Sequence, residues 1–142
     1  DTLREDEGGT YGASSSASAR KYPDGRYLLQ VYFNSKPALA EKLRTLAQDG
    51  FRKLAEEGPT DEQFTRTVEN FKKNVPESRI NNSYWLSNIL RYFRNGYDYD
   101  QEWEAAVNGL TKEGIREAAA RLYNSGNFIE VVMMPGETAE AE

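Results

Sequence analysis

A chain of 142 residues is long enough to bury a sizeable core and suits one domain or a large piece of one. Its net charge of −5, with Lys and Arg scattered among acids, leaves no basic stripe that could follow phosphates and argues against a nucleic-acid partner. With no cysteine and no histidine, the chain cannot by itself build a reactive thiol, an iron–sulfur cluster, a disulfide, a Ser-His-Asp triad or an imidazole zinc site.

The first residue is Asp rather than Met, so a processed or engineered fragment is the expectation. Residues 9–20, GTYGASSSASAR, predict a strand of small residues in which Tyr11, Ala13, Ser15, Ala17 and Ala19 share one face. A flexible Ser/Ala linker is the other reading, but Tyr22-Pro23-Asp24-Gly25 is turn chemistry and RYLLQVYF, residues 26–33, is rich in β-formers. A hairpin of one small-residue strand and one bulky strand follows.

The sequence then turns helical. Ser35 is the expected cap of a helix with Pro37 in its first turn, and Leu39, Leu43, Leu46, Ala47, Phe51 and Leu54 form its apolar stripe up to Gly58-Pro59. Thr60-Asp61-Glu62-Gln63 matches a capping box opening a second helix, whose buried face is Phe64, Val68, Phe71 and Val75 and which Pro76 should kink or interrupt. A third helix carries Trp85, Leu86, Ile89, Leu90 and Phe93 inward and closes on Asn95-Gly96. Asp100 is the expected cap of a short helix through Trp103 and Val107. Thr111 opens the last one, with Ile115, Ala118, Ala119 and Leu122 inward and a stop near Ser125-Gly126. NFIEVVMMP, residues 127–135, predicts a returning strand, and the acidic GETAEAE beyond it a disordered tail. The expected fold is therefore α+β, a mainly antiparallel sheet (hairpin plus returning C-terminal strand) with several helices packed on one face. One domain spans 1–136, ahead of the tail at 137–142.

Few residues suggest chemistry. Gly8-Gly9-Thr10 lacks the Walker lysine and no helix follows, so these glycines bend the chain into the strand. The acids Glu5, Asp6 and Glu7, and Asp98, Asp100, Glu102 and Glu104, read as solvated charge or helix N-terminal acids. The serines at 14, 15, 16 and 18 have no base to activate them. Trp85 and Phe93 sit at core spacing. Taken alone, Arg4 reads as a surface partner of Glu5 or Glu7, and Tyr11 as an ordinary strand residue.

The conjunction of three segments changes that reading. Arg4 precedes Tyr11 by seven residues with glycines between them at the start of a strand; NNSYWLSNIL spans 81–90; GLTKEGIREAAARLYNSGNFIEVVMMP closes the chain. In this order they resemble the C-terminal half of the pitrilysin/insulinase-type zinc metallopeptidases, which include the mitochondrial processing peptidases. The Asn-x-x-Trp helix resembles that of the bacterial pqqL-like branch. The likeness runs from residue 2 to residue 136. It implies a metallohydrolase-like fold that closes over a peptide like one side of a clamshell. Zinc, its HxxEH ligands and the catalytic glutamate would lie on the N-terminal half of the same protein, the partner of this one. By the same resemblance, Arg4 and Tyr11 would contact the scissile peptide and stabilise its oxyanion, and Ala13 and Ser15 would let an extended substrate approach the sheet. It further implies a bacterial periplasm or cell-envelope location. The alternative is a non-catalytic peptide-binding or subunit-interaction domain of the same fold.

Overall fold

A computed structural model describes residues 13–134. Two strands, β1 (Ala13–Arg20) and β2 (Arg26–Phe33), precede five α-helices: α1 (Ala40–Glu57), α2 (Asp61–Ser78), α3 (Asn82–Asn95), α4 (Tyr99–Asn108) and α5 (Lys112–Asn124). The fold is α+β with a two-stranded antiparallel sheet. The chain divides into two compact units, Asp1–Lys53 with Arg121–Glu142, and Leu54–Ala120.

In the first unit the hairpin forms where the turn residues demand it. β1 runs against β2 from Ala13 opposite Phe33 to Arg20 opposite Arg26, and Arg26 Nε donates to Asp24 across the turn at 2.7 Å. Leu29 and Phe33 share one face and are half-buried, whereas Leu28 and Tyr32 on the other face are exposed. Ser35 does not cap the following helix. Pro37–Leu39 instead form a 3₁₀ turn behind Lys36, which has no side-chain cap, and α1 grows from Ala40. Proline at the first position presets φ, so the turn needs no side-chain acceptor to start. The apolar stripe of α1 is as expected, with Leu43 only 1 % exposed. Phe51, Tyr123 and Phe128 meet edge to face in a closed triangle, with centroids 5.7, 6.2 and 5.5 Å apart.

The returning strand is not formed: residues 127–134 pair with no strand among the described residues. A β-forming sequence becomes a strand only when a neighbour takes up its backbone N–H and C=O groups. Side chains hold this segment instead. Phe128 joins the aromatic triangle, and Glu130 accepts from Arg44 at 2.9 Å and from Gln48.

In the second unit, the end of α1 is set by Gly58, whose φ of +78° favours glycine and where an added Cβ would stand 3.3 Å from the Arg116 Cβ. The capping box is complete: Gln63 N donates to Thr60 Oγ1 at 3.2 Å, and Thr60 N to Gln63 Oε1 at 3.0 Å. Thr60→Ala removes one half of it and is expected to cost about 1 kcal/mol, read as a lower urea midpoint. Pro76 does not interrupt α2, which continues two residues further to Ser78 although the proline removes one bond of the ladder. Phe71 is exposed rather than buried. α4 packs against both α2 and α3.

The largest departure is α3. Trp85, Leu86, Ile89, Leu90 and Phe93, expected inward, are all exposed, Phe93 at 81 %. The half-buried positions are Tyr84, Asn88 and Asn95, on the opposite side of the helix. The apolar spacing fixed which residues share a face. Polar partners on α4 and at the end of α2 decided which face is covered. Gly96 closes α3 at φ +67°, its N–H donating to Tyr92 O at 2.8 Å, as the Asn-Gly pair predicted. Thr111 Oγ1 accepts from Gly114 N at 3.0 Å to open α5, though Ala118 faces solvent.

Candidate functional site

Arg4 and Tyr11 lie outside the described residues. Ala13 and Ser15 lie at the start of β1, opposite Phe33 and Val31. Residues directly opposed in an antiparallel ladder project to the same face. Ala13, Ser15 and Ala17 therefore share a face with Phe33, Val31 and Leu29. All eight residues of β1 are exposed. Among the described residues β1 pairs only with β2, and no described strand lies on its far side. Such an edge can accept another extended chain through main-chain hydrogen bonds, and side chains no larger than Ser leave room beside it.

The best-satisfied polar cluster is one that the sequence did not single out. Asp100, in the first turn of α4, accepts from the Tyr84 hydroxyl at 2.7 Å and from Arg79 Nε at 2.8 Å, and its side chain is only 20 % exposed. Arg79 also donates to the Asp100 carbonyl at 3.3 Å and stacks its guanidinium 5.9 Å over Trp103. The Trp85 indole donates to the Arg79 carbonyl at 2.8 Å. The cluster thus ties the end of α2 to α3 and α4. Asp100 does not cap α4. Asp98 does, accepting from the N–H groups of Asp100 and Gln101 at 3.0 and 3.1 Å, which frees Asp100 to face the arginine. The solvent-shielded Asn88 amide nitrogen lies beside the Tyr84 hydroxyl without reaching hydrogen-bond geometry.

Electrostatics in the cluster follow from these contacts. The Tyr84 hydroxyl, and after it Arg79, hold the Asp100 carboxyl below the usual carboxylate range against the opposing pull of burial. Burial and the carboxylate acceptor push the Tyr84 hydroxyl up. A phenol held protonated, an ion-paired carboxylate and an arginine occupied by both suit structural support rather than proton transfer at neutral pH. Because the folded carboxyl titrates below its unfolded value, it contributes stability above the unfolded carboxylate range, and that contribution is lost as pH falls through the folded value. Asp100→Asn should therefore flatten the decline of Tm between about pH 5 and 3 relative to the wild type.

No histidine or cysteine is present in the chain, and no group of three or more acidic side chains among the described residues is placed to hold a metal. Among the described residues this donor set does not fit a zinc site. No helix among the described residues is long and apolar enough to cross a membrane.

Residues 1–71 match the family model of the peptidase M16 inactive domain, the pitrilysin/insulinase-type family that the sequence segments resemble. The chain belongs to that family. Among solved structures it is similar to the periplasmic protease PqqL from Escherichia coli, with a TM-score of 0.65 and 19 % identity over 87 % of this chain and 14 % of that chain. At this identity the likeness is one of fold. The chain spans about one seventh of the length of PqqL. No curated protein matches it.

Proposed function

We propose that residues 1–136 are the substrate-binding part of a larger peptidase that encloses peptides in a clamshell chamber. The zinc ligands and catalytic glutamate would belong to the N-terminal half of that protein. Arg4 and Tyr11 would lie against the scissile peptide. A guanidinium and a phenol O–H are donors suited to the negative charge that grows on a carbonyl oxygen under attack. An extended substrate would lie along the open edge of β1 beside Ala13 and Ser15, held through its backbone and so with little demand on its sequence. The observation that carries this reading is the family match, because residues 1–71 contain Arg4, Tyr11 and β1 together. Likeness to a periplasmic protease supports a periplasmic or envelope location for the whole protein.

The test is hydrolysis of long unfolded peptides by the full-length protein. Cleavage is expected to stop with a chelator and return with zinc, while the 142-residue chain alone cleaves nothing. Peptide binding without cleavage, with zinc supplied, would replace this reading with a non-catalytic peptide-binding or subunit-interaction domain.

A further inference from the structure

In four places an Asp or Asn stands directly before a glycine: Asp24-Gly25, Asp49-Gly50, Asn95-Gly96 and Asn108-Gly109. Glycine has no side chain to shield its backbone nitrogen, so that nitrogen can attack the side-chain carbonyl carbon of the residue before it. The attack needs an uncommitted N–H and a backbone that can swing the two atoms together. Three of the pairs are held against it. Gly50 lies inside α1, where the ladder takes its N–H. Gly96 N donates to Tyr92 O at 2.8 Å, and Gly109 N to Ala105 O at 2.9 Å. Asp49, Asn95 and Asn108 are themselves helical, and Asn95 Nδ2 donates to Tyr99 Oη at 3.0 Å. These bonds join residues close in sequence, so packing elsewhere on the chain does not set them.

Asp24-Gly25 is different. It lies in the turn between β1 and β2, and Gly25 N donates to no backbone acceptor among the described residues. A Cβ added at Gly25 would meet nothing within 4 Å. The Asp24 carboxylate is paired with Arg26 at 2.7 Å, but the side chains are 56 and 74 % exposed, and an ion pair so open to water restrains little. We propose that Asp24 is a site of spontaneous conversion to isoaspartate. The Gly25 nitrogen bonds to Asp24 Cγ as its proton passes to water, a Cγ–O bond breaks, and the net loss of one water leaves a succinimide ring. Water then adds to either imide carbonyl. Breaking the bond from nitrogen to Cγ restores Asp24. Breaking the bond from nitrogen to the main-chain carbonyl leaves isoaspartate, with the chain now running through Cβ and Cγ. Water is the only co-reactant, and nothing is oxidised or reduced. The product carries one more methylene in the backbone of the turn that closes the hairpin, next to Arg20 opposite Arg26, so the modification acts on the ladder that carries β1.

Warm incubation in heavy-oxygen water marks each turnover, because hydrolysis of the imide leaves a labelled oxygen whichever bond opens. Tryptic peptides are then scored for label and, by enzymatic isoaspartyl methylation, for the rearranged linkage. A free peptide of residues 21–27 sets the unhindered rate. Asp24 in the folded 142-residue chain should convert at close to that rate. Asp49, Asn95 and Asn108 should each react about tenfold or more slowly in the folded chain than in urea, the factor set by the hydrogen bond that must open first. Gly25→Ala should remove the label from residue 24. Alanine needs no positive φ there and meets no described atom, so the variant keeps the hairpin. An Asp24 slowed by folding as much as the three helical residues would overturn the proposal, as would labelling of residue 24 in Gly25→Ala at the unmodified rate.

Discussion

Tyr11→Phe in the full-length protein is expected, on the proposed function, to lower kcat for peptide hydrolysis by about 10²-fold or more, with KM for the peptide nearly unchanged. The substitution deletes one hydroxyl and little else. If that hydroxyl donates to the carbonyl oxygen only as negative charge develops there, its loss raises the barrier without weakening substrate binding. Arg4→Ala removes a full positive charge as well as its donors, so its effect on kcat should be at least as large. It should also raise KM to the extent that the guanidinium already touches the ground-state carbonyl. Two donors to one oxygen act as a unit, so the double variant should lose less than the product of the single losses. Steady-state kinetics on a quenched-fluorescence peptide would separate the terms. Unchanged turnover in both single variants would remove Arg4 and Tyr11 from the chemistry and leave β1 as a binding edge only.

The second large effect concerns the fold. Leu43→Ala in α1 should destabilise the chain by about 3 kcal/mol, because it empties a site that is almost wholly closed to water. With a urea slope near 2 kcal/mol/M, the midpoint would fall by roughly 1.5 M. Among the described residues the buried apolar set is small, namely Leu43, Ala55 and Ala119, and neither alanine offers much volume to lose. A loss of this size is a large share of the stability a domain normally has. Far-UV circular dichroism during urea titration would measure it. A shift below about 0.3 M would mean that the space beside Leu43 collapses freely.

Much of this architecture was legible because the signals were local. Pro23-Asp24-Gly25 placed the turn, Thr60 and Gln63 the start of α2, and Asn95-Gly96 the end of α3, each through atoms a few residues apart. What failed depended on partners distant in sequence. Helical spacing grouped Trp85, Ile89 and Phe93 correctly but could not reveal that Tyr84 would be drawn to Asp100 and Arg79, turning the apolar stripe to solvent. Likewise, nothing within residues 127–134 distinguishes a strand with a neighbour from one without. Asp98 and Asp100 are both plausible caps; the arginine twenty-one residues before Asp100 decided between them. Of the proposed site, alternation put Ala13 and Ser15 on one face of a strand, whereas the roles proposed for Arg4 and Tyr11 come only from the family pattern, since neither carries a local signature of reactivity.

Both indoles in this molecule converge on a single residue: Trp85 through the Arg79 carbonyl, Trp103 through the Arg79 guanidinium. Intrinsic emission excited at the red edge is thus a private channel for the Leu54–Ala120 unit, tuned by one arginine. The hairpin and the aromatic triangle contain no indole, so an optical melt recorded there reports on the Leu54–Ala120 unit alone.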